Sequence, residues 1–347
     1  MKKIVRQVVG IDVAQKELVV CFGRMYDDWV PELFANRAFA NTAKGFAALI
    51  LWVKKLAEES CPVRYVMEAT GVYHESLAYF LEGNGFEVSI VLPNKISNYF
   101  RTLEVKTITD KTASEAITRF GLERKLDRWK RPAEIFRKLK QKTRERDQLV
   151  GERTLVKNQL HAEQTEAYPG KESITRMKTR IILLNTQVSE IKEEMNALVK
   201  QDKGVNKSVD LISSIPGVGI LTAVTVLAET NGFELIRNKR QLTSYAGLDV
   251  KEKLSGTSVK GKPRISKKGN RYLRKAMHMP ALTAIRNEGR FKVLFIRLVS
   301  RHGIKMKAAV AVQRKLLEMI YTLYKTNTAF DEDYLKEEVS VLSTQAA

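Results

Sequence analysis

The amino-acid sequence predicts an α/β domain with a mixed sheet, then a long helical segment, then a mainly α-helical region. Three observations predict this order. Short apolar runs alternate with amphipathic segments over 1–128, apolar residues repeat at spacings of three and four over 174–198, and short apolar helices flank a Pro-Gly turn after residue 204. We therefore divide the chain into regions 1–128, 129–204 and 205–328, with an acidic tail at 329–347.

The first region has five predicted strands and four predicted helices. Apolar or alternating runs bounded by turn residues place the strands at 5–12, 17–23, 33–40, 63–67 and 86–92. Amphipathic spacing places helices at 42–59, 94–103 and 109–122, and one more from the turn at 70–73 to about residue 84. Strands and helices in this order indicate an α/β domain with a mixed sheet.

The middle region is predicted to be two long helices that meet at a turn at 168–170. The first helix covers about 133–166, and the second carries an a/d seam of Ile174, Met177, Ile181, Leu184, Val188, Ile191, Met195 and Leu198. The pair is either an antiparallel hairpin or a dimerising coiled coil. In both cases it buries little core by itself, and we expect a partner surface.

The third region begins with two short apolar helices joined by a Pro-Gly-x-Gly turn. This turn is similar to a helix-hairpin-helix element, in which Gly217 and Gly219 would let backbone N–H groups approach a phosphate. The alternative is a tight helix–helix turn without a ligand. Further helices are predicted near 238–246, 269–287 and 304–326.

The charge of the chain indicates a polyanionic partner. Lysine and arginine number 60 against 39 aspartate and glutamate residues, a formal net charge of +21. Ten basic residues and one acidic residue lie between 251 and 275. This density predicts contacts with a DNA or RNA backbone, made by Lys260, Lys262, Arg264, Lys267, Lys268, Arg271 and Arg274.

Cysteine usage and hydropathy predict a cytoplasmic protein. Cys21 and Cys61 lie in or beside apolar runs and suggest reduced thiols rather than a disulfide framework. No apolar run approaches the roughly 20 residues that span a bilayer, so we expect no membrane partner.

Three acids follow or open predicted elements of the first region. Asp12 and Glu68 each end an apolar strand, and Asp110 opens a helix. If they converge, a divalent cation such as Mg²⁺ would hold them together and would suit phosphodiester chemistry. Each acid also has a simpler interpretation: a solvated turn for Asp12, a solvated rim for Glu68 and a helix N-cap for Asp110.

The motifs around these acids resemble a known family. The motifs are Gly-Ile-Asp-Val at 10–13, Met-Glu-Ala-Thr-Gly at 67–71 and the segment from Thr-Asp-Lys at 109–111 to Phe-Gly at 120–121. They are similar to the motifs of the DEDD transposases of insertion sequences. These transposases form the IS-one-ten family, which is related to the Piv DNA invertase. The resemblance implies a RuvC-like domain of RNase H fold, a C-terminal transposase domain, and Mg²⁺ bound by Asp12, Glu68 and Asp110.

One position departs from the family pattern. The family has a fourth acid three residues after the third, and this chain has Ala113 there. Glu115 is the nearest acid, but at roughly 100° per residue it would lie about 140° from Asp110. Glu115 also fits a capping box with Thr112, so we expect a site of three acids.

The resemblance also singles out a serine. Ser255 matches the Ser-Gly of the family's C-terminal domain, whose serine attacks the scissile phosphate and holds the DNA covalently. Ser258 and Ser266 are alternatives. No histidine in the basic stretch offers a base, so activation by the metal is the simplest proposal, and His74 follows the Glu68 motif closely enough to lie near the site.

The family further implies partners and an assembly. The acids of one protomer would meet the serine domain of another in a homodimer or homotetramer, and a non-coding guide RNA, called bridge RNA, would pair with donor and target DNA. A Holliday-junction nuclease and a catalytically impaired nucleic-acid-binding relative are the alternatives. An actin-like sugar kinase fits poorly, because the chain lacks a Gly-rich adenosine loop and is strongly basic.

Overall fold

A computed structural model describes residues 3–69, 71–105, 107–234, 236–252, 254–255, 259–261 and 263–331, with the backbone alone for 254–255 and 259–260. The chain forms two compact units, Met1–Arg131 and Pro132–Ala347. Within the described ranges, no helix is both long enough and apolar enough to cross a membrane.

The first unit contains a five-stranded sheet in the order β3-β2-β1-β4-β5. The strands β1 to β3 are antiparallel, whereas β4 and β5 run parallel to β1. The strands are β1 Ile4–Val13, β2 Glu17–Tyr26, β3 Pro31–Ala40, β4 Val63–Glu68 and β5 Glu87–Val91. The helices are α1 Ala43–Leu56, α2 Glu75–Gly83, α3 Pro93–Phe100 and α4 Asp110–Glu123. This mixed sheet with helices fits the RNase H-like fold that the resemblance implies.

Helices cover both faces of the sheet, because alternate residues of β1 belong to different cores. Val9 and Ile11 pack in one core with residues of α1 and α2. Val8 packs in the other core with Ile117 and Leu122 of α4. Residues of even number in β1 therefore face α4, and Asp12 is one of them.

The second unit is mainly helical. Its helices are α5 Glu134–Thr165, α6 Lys171–Gln201, α7 Lys203–Ser213, α8 Ile220–Thr230, α9 Lys239–Tyr245, α10 Arg271–Ala276, α11 His278–Arg286, α12 Arg290–His302 and α13 Lys305–Thr326. Two-residue strands pair as β6 Val250–Lys251 with β9 Arg264–Ile265, and as β7 Leu254–Ser255 with β8 Val259–Lys260. One core joins the base of the α5–α6 pair to the helices that follow it.

The two long helices α5 and α6 form an antiparallel hairpin within the chain. Lys142 pairs with Glu194, Arg153 donates to Asn185, and Glu163 accepts from the backbone of Gly170 at the turn. The seam predicted from the sequence is buried at Leu184, Val188, Ile191 and Met195. Three apolar side chains away from this seam, Leu155, Ile182 and Leu183, stay exposed.

Two details of the predicted helices were wrong. The helix expected over 269–287 is broken after Ala276, because Pro280 has no N–H to bond the Ala276 carbonyl. Helix α12 was not expected at all: four basic residues, Arg290, Lys292, Arg297 and Arg301, hide its apolar face in the sequence. Most of the predicted acidic tail, 332–347, lies outside the described residues.

Candidate functional site

Asp12 and Glu68 lie side by side at the ends of two parallel strands. The last recorded pair between β1 and β4 is Ile11 with Met67, and the two acids are the next residue on each strand. Because neighbouring residues of a strand point to opposite faces, both carboxylates leave the sheet on the face covered by α4.

A close contact with β1 brings α4 to these acids. A Cβ atom added at Gly10 would lie 2.3 Å from the Thr118 hydroxyl oxygen and 2.7 Å from the Ser114 carbonyl oxygen. Thr118 also donates from its hydroxyl to the Cys21 carbonyl at 3.1 Å. Only glycine permits this approach, which places the first turn of α4 beside the end of β1.

Asp110 is the first residue of α4. Its neighbour Thr109 is the N-cap, and Thr109 and Thr112 exchange the two hydrogen bonds of a capping box. Two expectations are thereby corrected: Asp110 is not the N-cap, and Thr112 does not begin a capping box with Glu115. The helix starts at Asp110 because Thr109 holds the extended conformation that an N-cap requires.

The pKa of Asp12 responds to the charges of the other two acids. Burial raises the pKa of Asp12, and the negative charges of Asp110 and Glu68 raise it further, while a backbone hydrogen bond with Val13 lowers it. The described residues include no group of three acidic, histidine or cysteine side chains already arranged to hold a metal ion. The charges of Asp110 and Glu68 thus act on Asp12, but the three acids do not form a ligand group as they stand. Three carboxylates are the donor type that a hard divalent cation takes, and such a cation would relieve their repulsion.

Position 113 lies on the same helix as Asp110, one turn along. Ala113 offers no oxygen, and Glu115 accepts a hydrogen bond from Asn36 of β3 at 3.1 Å. The acids that raise the pKa of Asp12 are Asp110 and Glu68 alone. Glu115 therefore does not take the place of the missing fourth acid.

Asn41 was missed by sequence reasoning. Its side-chain amide donates to the carbonyls of Ala14 at 2.9 Å and Tyr73 at 3.2 Å, and so ties the turn after Asp12 to the loop after Glu68. His74 follows in that loop, where burial lowers its pKa and favours the neutral ring. Nothing in the sequence pointed to this bridge.

The basic stretch is partly described. The backbone of Ser255 pairs with that of Val259, whereas Ser258 and Lys262 lie outside the described residues, as does the side chain of Lys260. Ser266 donates from its hydroxyl to the Asp249 carboxylate at 2.6 Å, a bond that holds the turn beside β9.

The remaining predicted contacts with nucleic acid are partly engaged within the protein. Arg264, Lys267 and Lys268 are exposed. Arg271 is exposed too but donates to the Tyr272 hydroxyl at 3.2 Å, and Arg274 donates to the carbonyls of Ala246 and Gly269. Gly217 has a positive φ of 88° and packs against Thr283 of α11, whereas the space around Gly219 is open. The Pro-Gly-x-Gly turn joins α7 to α8 as expected.

A buried carboxylate in the second unit was also missed. Glu229 accepts from Arg144 at 2.8 and 3.0 Å and from the Asn270 amide at 2.7 Å. These bonds connect the hairpin helix α5 to α8 and to the N-cap of α10. A glutamate within the apolar run of α8 was the only signal in the sequence.

Comparisons with known proteins assign the chain to a family. It is 28% identical to the pilin gene-inverting protein of Moraxella bovis, covering 93% of this chain and 97% of that one. It is 24% identical to the transposase for insertion sequence element IS1111A of Coxiella burnetii, covering 91% of this chain and 89% of that one. Among solved structures it matches T. thermophilus RuvC in complex with Holliday junction substrate, with 10% identity and a TM-score of 0.27, over 35% of this chain and 99% of that chain.

Family models match at both ends of the chain and cover more than two thirds of it together. The model for the DEDD transposases of the IS110 type matches residues 9–169. The model described as transposase of the IS116/IS110/IS902 family matches residues 209–295. The chain therefore belongs to the IS116/IS110/IS902 family of transposases.

Proposed function

We propose that this transposase cuts DNA with Ser255 as nucleophile, in a reaction that requires Mg²⁺ held by Asp12, Glu68 and Asp110. As a transposase of this family, the chain is an enzyme that cleaves and rejoins DNA. The observation that supports the metal proposal is the position of Asp12 and Glu68 at neighbouring strand ends, where burial and the charges of Asp110 and Glu68 raise the pKa of Asp12. Neighbouring acids that repel one another cost stability, and such groups are common at functional sites.

The acids and the serine have separate tasks in this proposal. A divalent cation, when bound, polarises phosphate oxygens and assists loss of the nucleophile's proton. Asp12 and Glu68 hold their oxygens at the strand ends, and Asp110 closes the site from α4. The close contact at Gly10 positions that third oxygen.

The serine step is a transesterification. The Ser255 hydroxyl loses its proton, its oxygen bonds the phosphorus, and the P–O bond to the leaving strand breaks as that oxygen takes a proton. A hydroxyl of another DNA end then attacks the same phosphorus and releases the serine. The match of Ser255 to the Ser-Gly of the family's C-terminal domain supports Ser255 over Ser266.

Partners and assembly extend the proposal. The formal charge of +21 supports binding of donor DNA, target DNA and a guide RNA along one basic protein. The exposed side chains Leu155, Ile182 and Leu183 of the hairpin support contact between protomers in a homodimer or homotetramer.

Trapping of a covalent intermediate tests the nucleophile. With Mg²⁺ and labelled substrate DNA, we expect a protein–DNA adduct that survives denaturation. Ser255→Ala should abolish it, Ser266→Ala should leave it, and EDTA or Asp12→Asn should prevent its formation. An adduct of normal yield in Ser255→Ala would refute the assignment.

Sequencing of copurified nucleic acid tests the guide. A discrete RNA bound at a fixed ratio to the protein would support RNA guidance. Only nucleic acid of random sequence, in a preparation that still recombines DNA, would contradict it.

A further inference from the structure

A cavity in the second unit has the properties of a nucleotide-binding pocket. Its volume is about 650 Å³, within the roughly 300–1,000 Å³ range of pockets for small ligands. Its walls come from α5, α8, α10, α11 and α13, together with Ile265 of the basic stretch. A nucleic acid that follows this stretch would therefore pass the cavity.

Arg146 of α5 is the residue in the lining that most favours binding of an anion. Its Nε atom is buried and has no hydrogen-bond partner among the residues that the structure describes. Burial and repulsion from Arg153 lower the pKa of Arg146, and Asp147 opposes this only in part. Because Arg146 lines the cavity, an anion bound there would face its positive charge and could accept a charge-assisted hydrogen bond from the guanidinium.

Other groups in the walls reinforce a preference for anions. Asp147 is the one carboxylate among the residues that line the cavity. Lys275, which also lines the cavity, pairs with Asp147. Thr222 lies in the first turn of α8, at the positive end of the helix dipole.

His278 adds a polar ring to the lining. The buried Gln313 amide nitrogen lies 2.9 Å from His278 Nδ1 and holds the ring in place. Leu221, Met279 and Pro280 complete the lining with apolar surface. Donors beside apolar surface suit a phosphate together with its base.

The geometry points to this cavity as a pocket for one unstacked nucleotide of a single-stranded nucleic acid, with its phosphate on Arg146. The strand could be DNA or RNA, which share this chemistry. The pocket goes beyond the proposed function, since neither Ser255 nor the acids of the first unit take part in it. A base held within a duplex would not enter.

Binding of short labelled strands to the full chain tests the pocket. Fluorescence anisotropy with dT6, rU6 and a 12-base-pair duplex in EDTA separates binding from cleavage. We expect Arg146→Gln to weaken binding of the single strands about tenfold or more, and binding of the duplex much less. Arg176→Gln, an equal loss of charge on the exposed face of α6, should change single-strand binding less than about twofold.

A rim variant protects the test against misfolding of Arg146→Gln. Met279 is 65% exposed, so Met279→Glu should leave thermal unfolding unchanged and weaken single-strand binding by repulsion, whereas Ile182→Glu on the hairpin should not. A preference for rU6 or for dT6 would identify the strand, and either supports the pocket. Equal losses in Arg146→Gln and Arg176→Gln, or none in both pocket variants, would overturn it.

Discussion

Two groups of acids in this protein have opposite surroundings. Glu229 of the second unit has no exposed side-chain surface, yet Arg144 and Asn270 donate three hydrogen bonds to its carboxylate. Asp12 of the first unit is partly buried, and the charges that act on it are those of Asp110 and Glu68, which raise its pKa.

The difference separates a structural carboxylate from a functional one. A buried charge with complete hydrogen bonding holds elements together, and here it joins α5, α8 and α10. Charges that repel weaken the fold, and we infer that the first unit keeps them for a cation. Removal of an acid should therefore harm activity in one unit and stability in the other.

The largest expected effect is on activity. Asp12→Asn should reduce DNA cleavage by more than the roughly 10–100-fold that loss of an outer-shell partner of a metal site costs. Folding raises the pKa of Asp12, so its ionised form costs stability at neutral pH and its removal should leave the unit as stable or more so. Glu115→Gln on α4 is the matched control and should retain cleavage. Cleavage at the wild-type rate by Asp12→Asn would show that Asp12 is not a functional carboxylate.

The second effect is on stability. Glu229→Gln should destabilise the second unit by about 2–3 kcal/mol, below the ~3–5 kcal/mol of a fully buried pair. We expect this smaller loss of stability because the Arg144 side chain is 40% exposed, so water can form some of the hydrogen bonds that Arg144 loses with Glu229. Glu134→Gln, which removes an exposed pair with Lys138, should leave the circular dichroism transition where it is in the wild type.

The tryptophans make the two units separable in one urea titration. Trp29, Trp52 and Trp129 all precede residue 132, whereas most of the helix lies after it. Glu229→Gln should move the circular dichroism transition and leave the tryptophan transition in place. A shift of both would show that Glu229 does not act within its own unit.

The sequence predicts the elements of both sites better than their contacts. The apolar run of β1 and the start of α4 locate Asp12 and Asp110, because periodicity and capping are local properties. The contact between Gly10 and Thr118 joins segments far apart in the chain, and no periodic pattern encodes which partner a glycine admits. The same holds for Glu229: its apolar surroundings indicate burial, but Arg144 lies 85 residues away.

Helix α12 shows a different limit. Its basic residues gave the segment the composition of an exposed loop, although Gly289 and Gly303 mark its ends. Both glycines have positive φ angles, 134° and 68°. Dihedral angles of this kind are evident only in the structure.

The third prediction concerns the contact that brings α4 to β1. Gly10→Ala would place a methyl group 2.3 Å from the Thr118 oxygen. We expect the free energy of unfolding of the first unit, measured from the tryptophan transition, to fall by about 2 kcal/mol. DNA cleavage should also decrease, because α4 and with it Asp110 would move. Gly151→Ala, in α5 with open space around it, should instead stabilise the second unit by about 0.5–1 kcal/mol. Wild-type stability in Gly10→Ala would mean that α4 does not depend on this glycine.

The smallest effect tests whether the acids of the first unit are a cation site at all. Ala113→Asp adds a carboxylate roughly 60° from Asp110 on the same helix. If the three acids bind Mg²⁺, the added carboxylate should tighten Mg²⁺ binding about tenfold. Saturating Mg²⁺ should then raise the free energy of unfolding of this variant, measured from the tryptophan transition, by about 1.4 kcal/mol more than it raises that of the wild type. Ala113→Asn adds a side chain of the same shape without the charge, and it should respond to Mg²⁺ as the wild type does. If Mg²⁺ stabilised none of the three proteins, Asp12, Glu68 and Asp110 would not form a Mg²⁺ site. The contrast between Asp12 and Glu229 would then need another cause.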